Sequence, residues 1–280
     1  MAEITTKSTK IPVAPLGLFL LLLFAYLPVL VELVEDWYAD PNYSHGFLIL
    51  PISGFLIWKN RKNLAPVERP SSLGVVILGG GLLMLILASA AAEYFTIRFS
   101  FAMSVTGLGL FCLGWQNFRE NWFSFFFLLF MIPIPGVIYY SATMPMQLLS
   151  SKMAYWALTL AGIPANLSGN IITLPNYRLE VAEACSGLRS LVTLMALGAL
   201  YARLTLKGIW RPVFLFLATI PIAIAANIFR IFATGVGAHK ISPKVAEDFL
   251  HEISGLLVFF AALVMTITLA WILGWTKKAP

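Results

Sequence analysis

Eight apolar segments constrain the fold of this chain more than any other feature of its sequence. The hydrocarbon core of a bilayer is about 30 Å thick, and a helix of about 20 apolar residues crosses it. Of the 280 residues, 59% are hydrophobic and only 11% are charged, which is more apolar surface than a soluble core buries. The sequence therefore predicts an all-α polytopic membrane protein with about eight transmembrane helices, forming a single integral membrane domain over residues 1–280. The predicted spans are residues 15–34, 46–58, 73–92, 99–115, 122–140, 186–202, 212–234 and 253–274.

One further segment, residues 141–162, decides the topology of everything that follows it. The segment is apolar, but it contains Lys152 and several Met, Ser and Thr residues. Short cytoplasmic loops collect Lys and Arg, and the loop with Arg203, Lys207 and Arg211 is inside only if residues 141–162 do not cross. We therefore predict an interfacial or re-entrant helix there, with both termini in the cytoplasm and the acidic loops outside. The net charge of +6 follows from this bias and gives no reason to infer nucleic-acid binding.

A small extracytoplasmic β-hairpin is predicted over about residues 166–184, directly before the sixth span. Tyr177, Leu179 and Val181 alternate with charged residues, which is the period of a half-buried strand. Pro175-Asn176 is a plausible turn between two strands. The hairpin would lead the chain directly to the start of the sixth span.

Cys185 stands where this extracytoplasmic element enters the sixth span. A thiol is a strong nucleophile only as a thiolate, and the unpaired N–H groups at the start of a helix favour the thiolate. Glu183, Ser186 and Arg189 give the cysteine polar neighbours. A catalytic role and a packing role are both compatible with this pattern. Cys112, within an apolar run, is interpreted as a packing residue.

An arginine inside a predicted span is the second candidate for a functional site. Arg230 lies about four residues before the end of the span 212–234, and Asn227 is one turn deeper on the same face. An arginine in the bilayer costs several kcal/mol unless it is paired, hydrated or able to reach the surface. We interpret the two residues as a polar ridge facing the inside of the helix bundle, although an arginine at this depth can also snorkel.

Two histidines lie at predicted outer helix ends. His251 precedes Gly255 by one helical turn, a spacing that predicts close helix approach at the glycine, and it is a candidate proton carrier. His45 lies at the outer entry of the second span, where it is a candidate for lining a substrate opening. His251 is also compatible with an ordinary interfacial position. The histidines have no paired spacing that would indicate a metal site.

The order of these motifs resembles that of the exosortase/archaeosortase family of membrane transpeptidases. The resemblance rests on ACSGLR at residues 184–189, on ANIFRI at 226–231 and on HEISG at 251–255. YSHGF at residues 43–47 and MIPIP at 131–135 are similar to upstream blocks of the family. The resemblance covers nearly the whole membrane core.

The resemblance implies a site with Cys185 as nucleophile, Arg230 as the essential arginine and His251 as the third member. Histidine rather than arginine at the last position places the chain in the bacterial exosortase branch. We therefore expect it in the bacterial inner (plasma) membrane, with its active site at the extracytoplasmic face and no metal or organic cofactor. The substrate-binding or supporting candidates are Asn227, Ser186, Arg189, Glu183 and His45.

The implied activity is that of a cysteine transpeptidase or endopeptidase. It cleaves the C-terminal sorting signal of exported proteins (a short motif such as Pro-Glu-Pro, a transmembrane helix and a basic tail) through a cysteine thioester. A lipid or polysaccharide-precursor acceptor then takes the protein. Two other function classes are compatible with the sequence: a transporter or channel with an Arg/Asn/His-lined path, and a non-catalytic envelope-export scaffold. A transporter predicts polar residues that continue towards the cytoplasm, and none are evident beyond Asn227.

Overall fold

The structure is a computed structural model that describes residues 13–67, 70–181, 188–243 and 250–275. The chain groups into two compact units, Met1–Pro133 and Ile134–Pro280. The described part of the first unit is helical, with short 3-10 turns at Arg61–Asn63 and Leu128–Met131. Its α-helices are α1 (Val13–Ala25), α2 (Leu27–Ala39), α3 (Gly46–Asn60), α4 (Ser72–Ala90) and α5 (Tyr94–Phe127).

The second unit combines helices with a small sheet. Its helices are α6 (Gly136–Leu160), α7 (Leu188–Thr205), α8 (Trp210–Lys240) and α9 (Leu250–Trp275), and its strands are β1 (Asn166–Ser168), β2 (Ile171–Leu174) and β3 (Tyr177–Glu180). The predicted single membrane domain stays a prediction.

Four described helical segments are long and apolar enough to cross a membrane: Ser72–Ala90, Tyr94–Met131, Trp210–Lys240 and Ser254–Gly274. The bent pair of α1 and α2 makes a fifth if it is counted as one span, and Ser190–Thr205 is a shorter apolar helix. The helical fold with a small sheet therefore agrees with the prediction. Length and apolarity alone account for four or five of the eight predicted spans.

The first predicted span, residues 15–34, is not one straight helix, because the chain bends by 67° between α1 and α2. Proline in the first turn of α2 has no N–H to donate back into α1. Tyr26, at the bend, is fully buried, and its hydroxyl lies 2.9 Å from the Ser104 hydroxyl and 3.1 Å from that of Ser100. These hydrogen bonds attach the bend to the side of α5.

The contact between α4 and α5 is very close because glycines face backbone. A Cβ atom on Gly74 would lie 2.4 Å from the backbone N of Phe111, and one on Gly107 would lie 2.4 Å from the backbone N of Leu78. The pairing of early with late positions shows that the two helices are antiparallel. Small residues that let backbones approach in this way are typical of membrane helix pairs.

α5 folds back on itself at Gly114, whose φ of 70° and ψ of 166° are not helical. The Phe125 ring lies against Gly109, where an added Cβ would be 2.3 Å from it. In a straight helix these residues would be about 24 Å apart, so the two halves form a hairpin. The bend falls at the predicted end of the span 99–115. The next predicted span, 122–140, is wrong at its end, because it is interrupted between Met131 and the start of α6, where Pro133 and Pro135 lie.

α6 and α8 run parallel, side by side. Asn227 of α8 bonds to Ser150 of α6, and eight residues further along both helices Gly235 lies against Leu158. Contacts that advance together along two helices require a parallel arrangement. α6 therefore follows the course of α8 and does not lie across it.

The three strands form an antiparallel sheet in the order β1-β2-β3. β2 and β3 are joined by Pro175-Asn176, which confirms the predicted turn. The sequence interpretation missed β1, which pairs with β2 across a turn at Gly169-Asn170; Gly169 has a φ of +62° that favours glycine. The apolar side of the sheet packs on α6 and α8, in a cluster that includes Leu158, Ile172 and Val181.

Candidate active site

The chain leaves the sheet from a firmly held residue. Val181, directly after β3, is buried, and its N–H donates to the carbonyl of Asn170 at 2.9 Å. The Asn170 side chain donates in turn to the Val181 carbonyl at 3.2 Å. Glu183, Cys185 and Ser186 lie outside the described residues. Cys185 follows Val181 by four residues and precedes the first residue of α7, Leu188, by three.

The held end of the sheet lies against α8 beside Arg230. Val181 belongs to the same buried cluster as Ile231, the residue after Arg230. The strand that leads to Cys185 therefore packs into a cluster that includes the residue next to the predicted essential arginine.

Arg230 extends from α8 towards α9. A Cβ atom built on Gly255 would lie 3.6 Å from Nη1 of Arg230. Gly255 leaves room for the guanidinium of the neighbouring helix, and the prediction that it marks close helix approach stays a prediction. His251 lies on α9 one helical turn before Gly255, so the end of the Arg230 side chain reaches α9 about one turn from the backbone position of His251.

α8 extends further than the sequence indicated. It continues to Lys240, ten residues or about 15 Å beyond Arg230, whereas the predicted span ended at residue 234. The last turns carry Gly235 and Ala238, which pack against α6 and the sheet. Arg230 therefore lies beneath the sheet instead of near a free helix end.

Asn227 and Arg230 face different neighbours. Asn227 is buried, and its Nδ2 donates to Oγ of Ser150 on α6 at 3.3 Å. Arg230 faces α9 instead, so the predicted ridge is divided between two helix contacts. Arg189 lies in the first turn of α7.

Comparison with known families identifies the family of this chain. A family model described as transmembrane exosortase matches residues 37–268, which is most of the chain. The chain belongs to the transmembrane exosortase family. No curated protein and no solved structure matches it. The matched region of this exosortase includes all three predicted catalytic positions and also His45.

His45 of this exosortase has a bonding partner of its own in the first unit. It lies in the turn between α2 and α3, and its Nε2 is 3.0 Å from the Phe130 carbonyl oxygen. The neighbouring carbonyl, that of Met131, accepts a hydrogen bond from Nε1 of Trp37 at 2.9 Å. Two aromatic N–H groups thus bind the last carbonyls of the helix before the Ile132–Pro135 segment. Burial lowers the pKa of His45, although the bond to Phe130 opposes the shift. Its role at a substrate opening stays a prediction.

The sequence interpretation of this exosortase missed the polar face of α6. Four of its polar side chains are buried: Thr143, Gln147, Ser150 and Ser151. Their spacing of three and four residues in an otherwise apolar helix is the pattern of one helix face and was a usable signal. This face is the one that meets Asn227.

Proposed function

We propose that this protein is a membrane cysteine transpeptidase or endopeptidase that removes the C-terminal sorting signal of exported proteins. Family membership supports a role in processing sorting signals. The contact between Arg230 and Gly255 carries the proposal for the site, because it brings a fixed cation to within one helical turn of His251. Ile231, the residue after Arg230, belongs to the same buried cluster as the strand that leads to Cys185.

The proposed reaction uses each of the three residues once in acylation. Cys185 Sγ attacks the scissile carbonyl carbon, and Arg230 stabilises the negative charge that develops on the carbonyl oxygen. The C–N bond then breaks, and His251 gives a proton to the leaving amine. A thioester between Cys185 and the exported protein remains. An acceptor hydroxyl or amine, or water, attacks the thioester carbonyl carbon while His251 takes its proton, and the C–S bond breaks to release the Cys185 thiolate.

The proposed substrate is an exported protein that ends in a short motif, one membrane helix and a basic tail. The acceptor is an envelope lipid or a polysaccharide precursor. The protein acts in the bacterial plasma membrane, with both termini in the cytoplasm and the site at the outer face.

The proposed topology has eight crossings, with α6 as a re-entrant helix. The second half of α5 returns along the first half. The helix end that follows it accepts hydrogen bonds from His45 and Trp37. His45 precedes the first residue of α3, whereas the basic residues Lys59 and Arg61 are at the other end of that helix. By the charge rule the His45 end of α3 faces outwards. α6 runs parallel to α8 and ends at the sheet. α6 is counted as no crossing in this topology because the charge rule then keeps the loop with Arg203, Lys207 and Arg211 inside.

The topology predicts which loops a membrane-impermeant reagent can reach. Single cysteines at Asn176 should be labelled from outside, whereas those at Lys62 and Lys207 should be labelled only after permeabilisation. The measurement is labelling of intact and opened cells in a Cys112→Ala, Cys185→Ala background. Labelling of Lys207 but not Asn176 in intact cells would contradict the outward location of the site.

The structure offers little support for a transporter. Polar residues continue along α6 to Gln147 and Thr143, whereas the sequence analysis found none beyond Asn227. However, Thr143 donates to the Tyr139 carbonyl and Ser151 to the Gln147 carbonyl, both within their own helix. Buried hydroxyls satisfied in this way do not line a hydrated path.

Co-expression with an exported protein that carries such a signal tests the proposed function. Mass spectrometry should find a new C-terminus that has lost the membrane helix and tail. Addition of water or of a larger group at this terminus distinguishes hydrolysis from transfer. An unprocessed C-terminus in the presence of the inserted wild-type protein would favour the scaffold class.

The pH dependence of the reaction separates the two histidines. If protonated His251 supplies the leaving-group proton, activity falls as the pH rises through the neutral range in which histidine titrates. His251→Ala should lower the activity and flatten this limb, and His251→Arg should keep weak activity without it. His45→Gln is the matched control and should keep the limb, since the lowered pKa of His45 leaves it neutral at neutral pH. The measurement is kcat/KM against pH; an unchanged profile in His251→Ala would exclude this residue as the proton carrier.

A further inference from the structure

Ser150 differs from the other hydroxyl residues of α6 in where its hydroxyl bonds. Four of those residues donate to the carbonyl four positions earlier in the same helix: Ser141, Thr143, Ser151 and Thr159. Ser150 instead accepts a hydrogen bond from Nδ2 of Asn227, on a helix that follows 77 residues later. Because helical serines can satisfy their hydroxyls locally, this bond between helices calls for its own explanation.

The bond lies in a fully packed region of the second unit. Ser150 is 1% exposed and Asn227 is 3% exposed. Water has no access to an amide buried to this degree, so a lost partner cannot be replaced by solvent. The bond therefore favours one rotation of α8 relative to α6.

The same rotation decides where Arg230 points. Asn227 and Arg230 are three residues apart on α8, which separates their directions by about 60° around the helix axis. Asn227 faces α6, and Arg230 faces Gly255 of α9. Because the guanidinium is at the end of a long side chain, even a small rotation of α8 moves it away from Gly255.

We propose that Ser150 is a positioning residue for Arg230: by holding Asn227, it sets the rotation of α8 that places the guanidinium over Gly255. The proposal rests on the proposed function for its catalytic consequence, but its structural part stands on the contacts alone. A misplacement of about 1 Å in a catalytic group can lower a rate by up to about 10²-fold.

Kinetic comparison of two adjacent serines tests the catalytic consequence. Ser150→Ala should lower kcat by about tenfold with little change in KM, because the placement of a catalytic group is lost and substrate binding is not. Ser150→Thr should restore most of kcat because it keeps the hydroxyl. Ser151→Ala is the matched control, since Ser151 is equally buried and bonds only within α6. Equal losses in Ser150→Ala and Ser151→Ala would overturn the proposal.

Crosslinking tests the positioning without any need for activity. Cysteines introduced as Arg230→Cys and Gly255→Cys, in a Cys112→Ala, Cys185→Ala background, are joined with a short bifunctional thiol reagent. Adding Ser150→Ala should lower the crosslinking rate severalfold, whereas adding Ser151→Ala should leave it unchanged. An unchanged rate in both would overturn the proposal. If Ser150→Ala lowers the crosslinking rate but the wild-type protein processes no substrate, the positioning role of Ser150 stands and the proposed function fails.

Discussion

Replacement of Cys185 by alanine is expected to abolish removal of the sorting signal while the protein still inserts into the membrane. The Cys185 sulfur forms the thioester bond, so no other side chain can take over this step. Loss of the nucleophile in a protease with a catalytic triad lowers kcat by about 10⁶-fold. Cys185→Ser should also be inactive, since a serine hydroxyl, unlike a cysteine thiol, is scarcely ionised near neutral pH. The measurement is the mass of the substrate C-terminus after co-expression.

Cys112→Ala is the matched control for this experiment. Cys112 is a free, half-buried cysteine in α5 and belongs to the first unit, whereas Arg230 and Gly255 belong to the second. Its replacement should leave processing close to normal. Normal turnover by Cys185→Ala would remove the nucleophile and the thioester from the proposed reaction.

Arg230→Lys is expected to lose most activity although it keeps the positive charge. The guanidinium is a planar fork with fixed donors, whereas an ammonium is a compact charge on a flexible stem. Loss of one donor to a developing oxyanion typically costs about 10²–10³-fold in rate, and we expect a loss of this size in kcat.

Arg178→Lys is the control for the arginine experiment, because Arg178 is exposed on β3. It should retain nearly full activity. An Arg230→Lys variant that retained it as well would show that charge alone suffices. Arg230 would then hold the thiolate electrostatically instead of stabilising the oxyanion.

The sequence predicted the helical membrane fold because apolar composition over long windows leaves few other structures. It placed the turn at Pro175-Asn176 and the end of a span near Gly114, where local chemistry determines the backbone. It failed at the bend between α1 and α2, because that geometry depends on a tyrosine bonding to serines more than 70 residues away.

The candidate site was predictable only in part for the same reason. Arg230 and His251 were recognisable from residue type and position, since a charge in an apolar helix calls for a partner. That Asn227 faces Ser150 while Arg230 faces Gly255 depends on how three helices are packed. The spacing of polar residues in α6 marks one face of that helix, but no local pattern encodes which residue of α8 this face meets.

The parallel pairing of α6 with α8 has a consequence for how the chain is made. α6 is not among the helices apolar enough to cross a membrane by themselves, and its buried hydroxyl face needs α8 as cover. Ser150 emerges from the ribosome 77 residues before Asn227. At about 5–20 residues per second, this interval lasts about 4–15 s. During synthesis α6 must therefore wait without its partner, and the final insertion of this segment follows the arrival of α8.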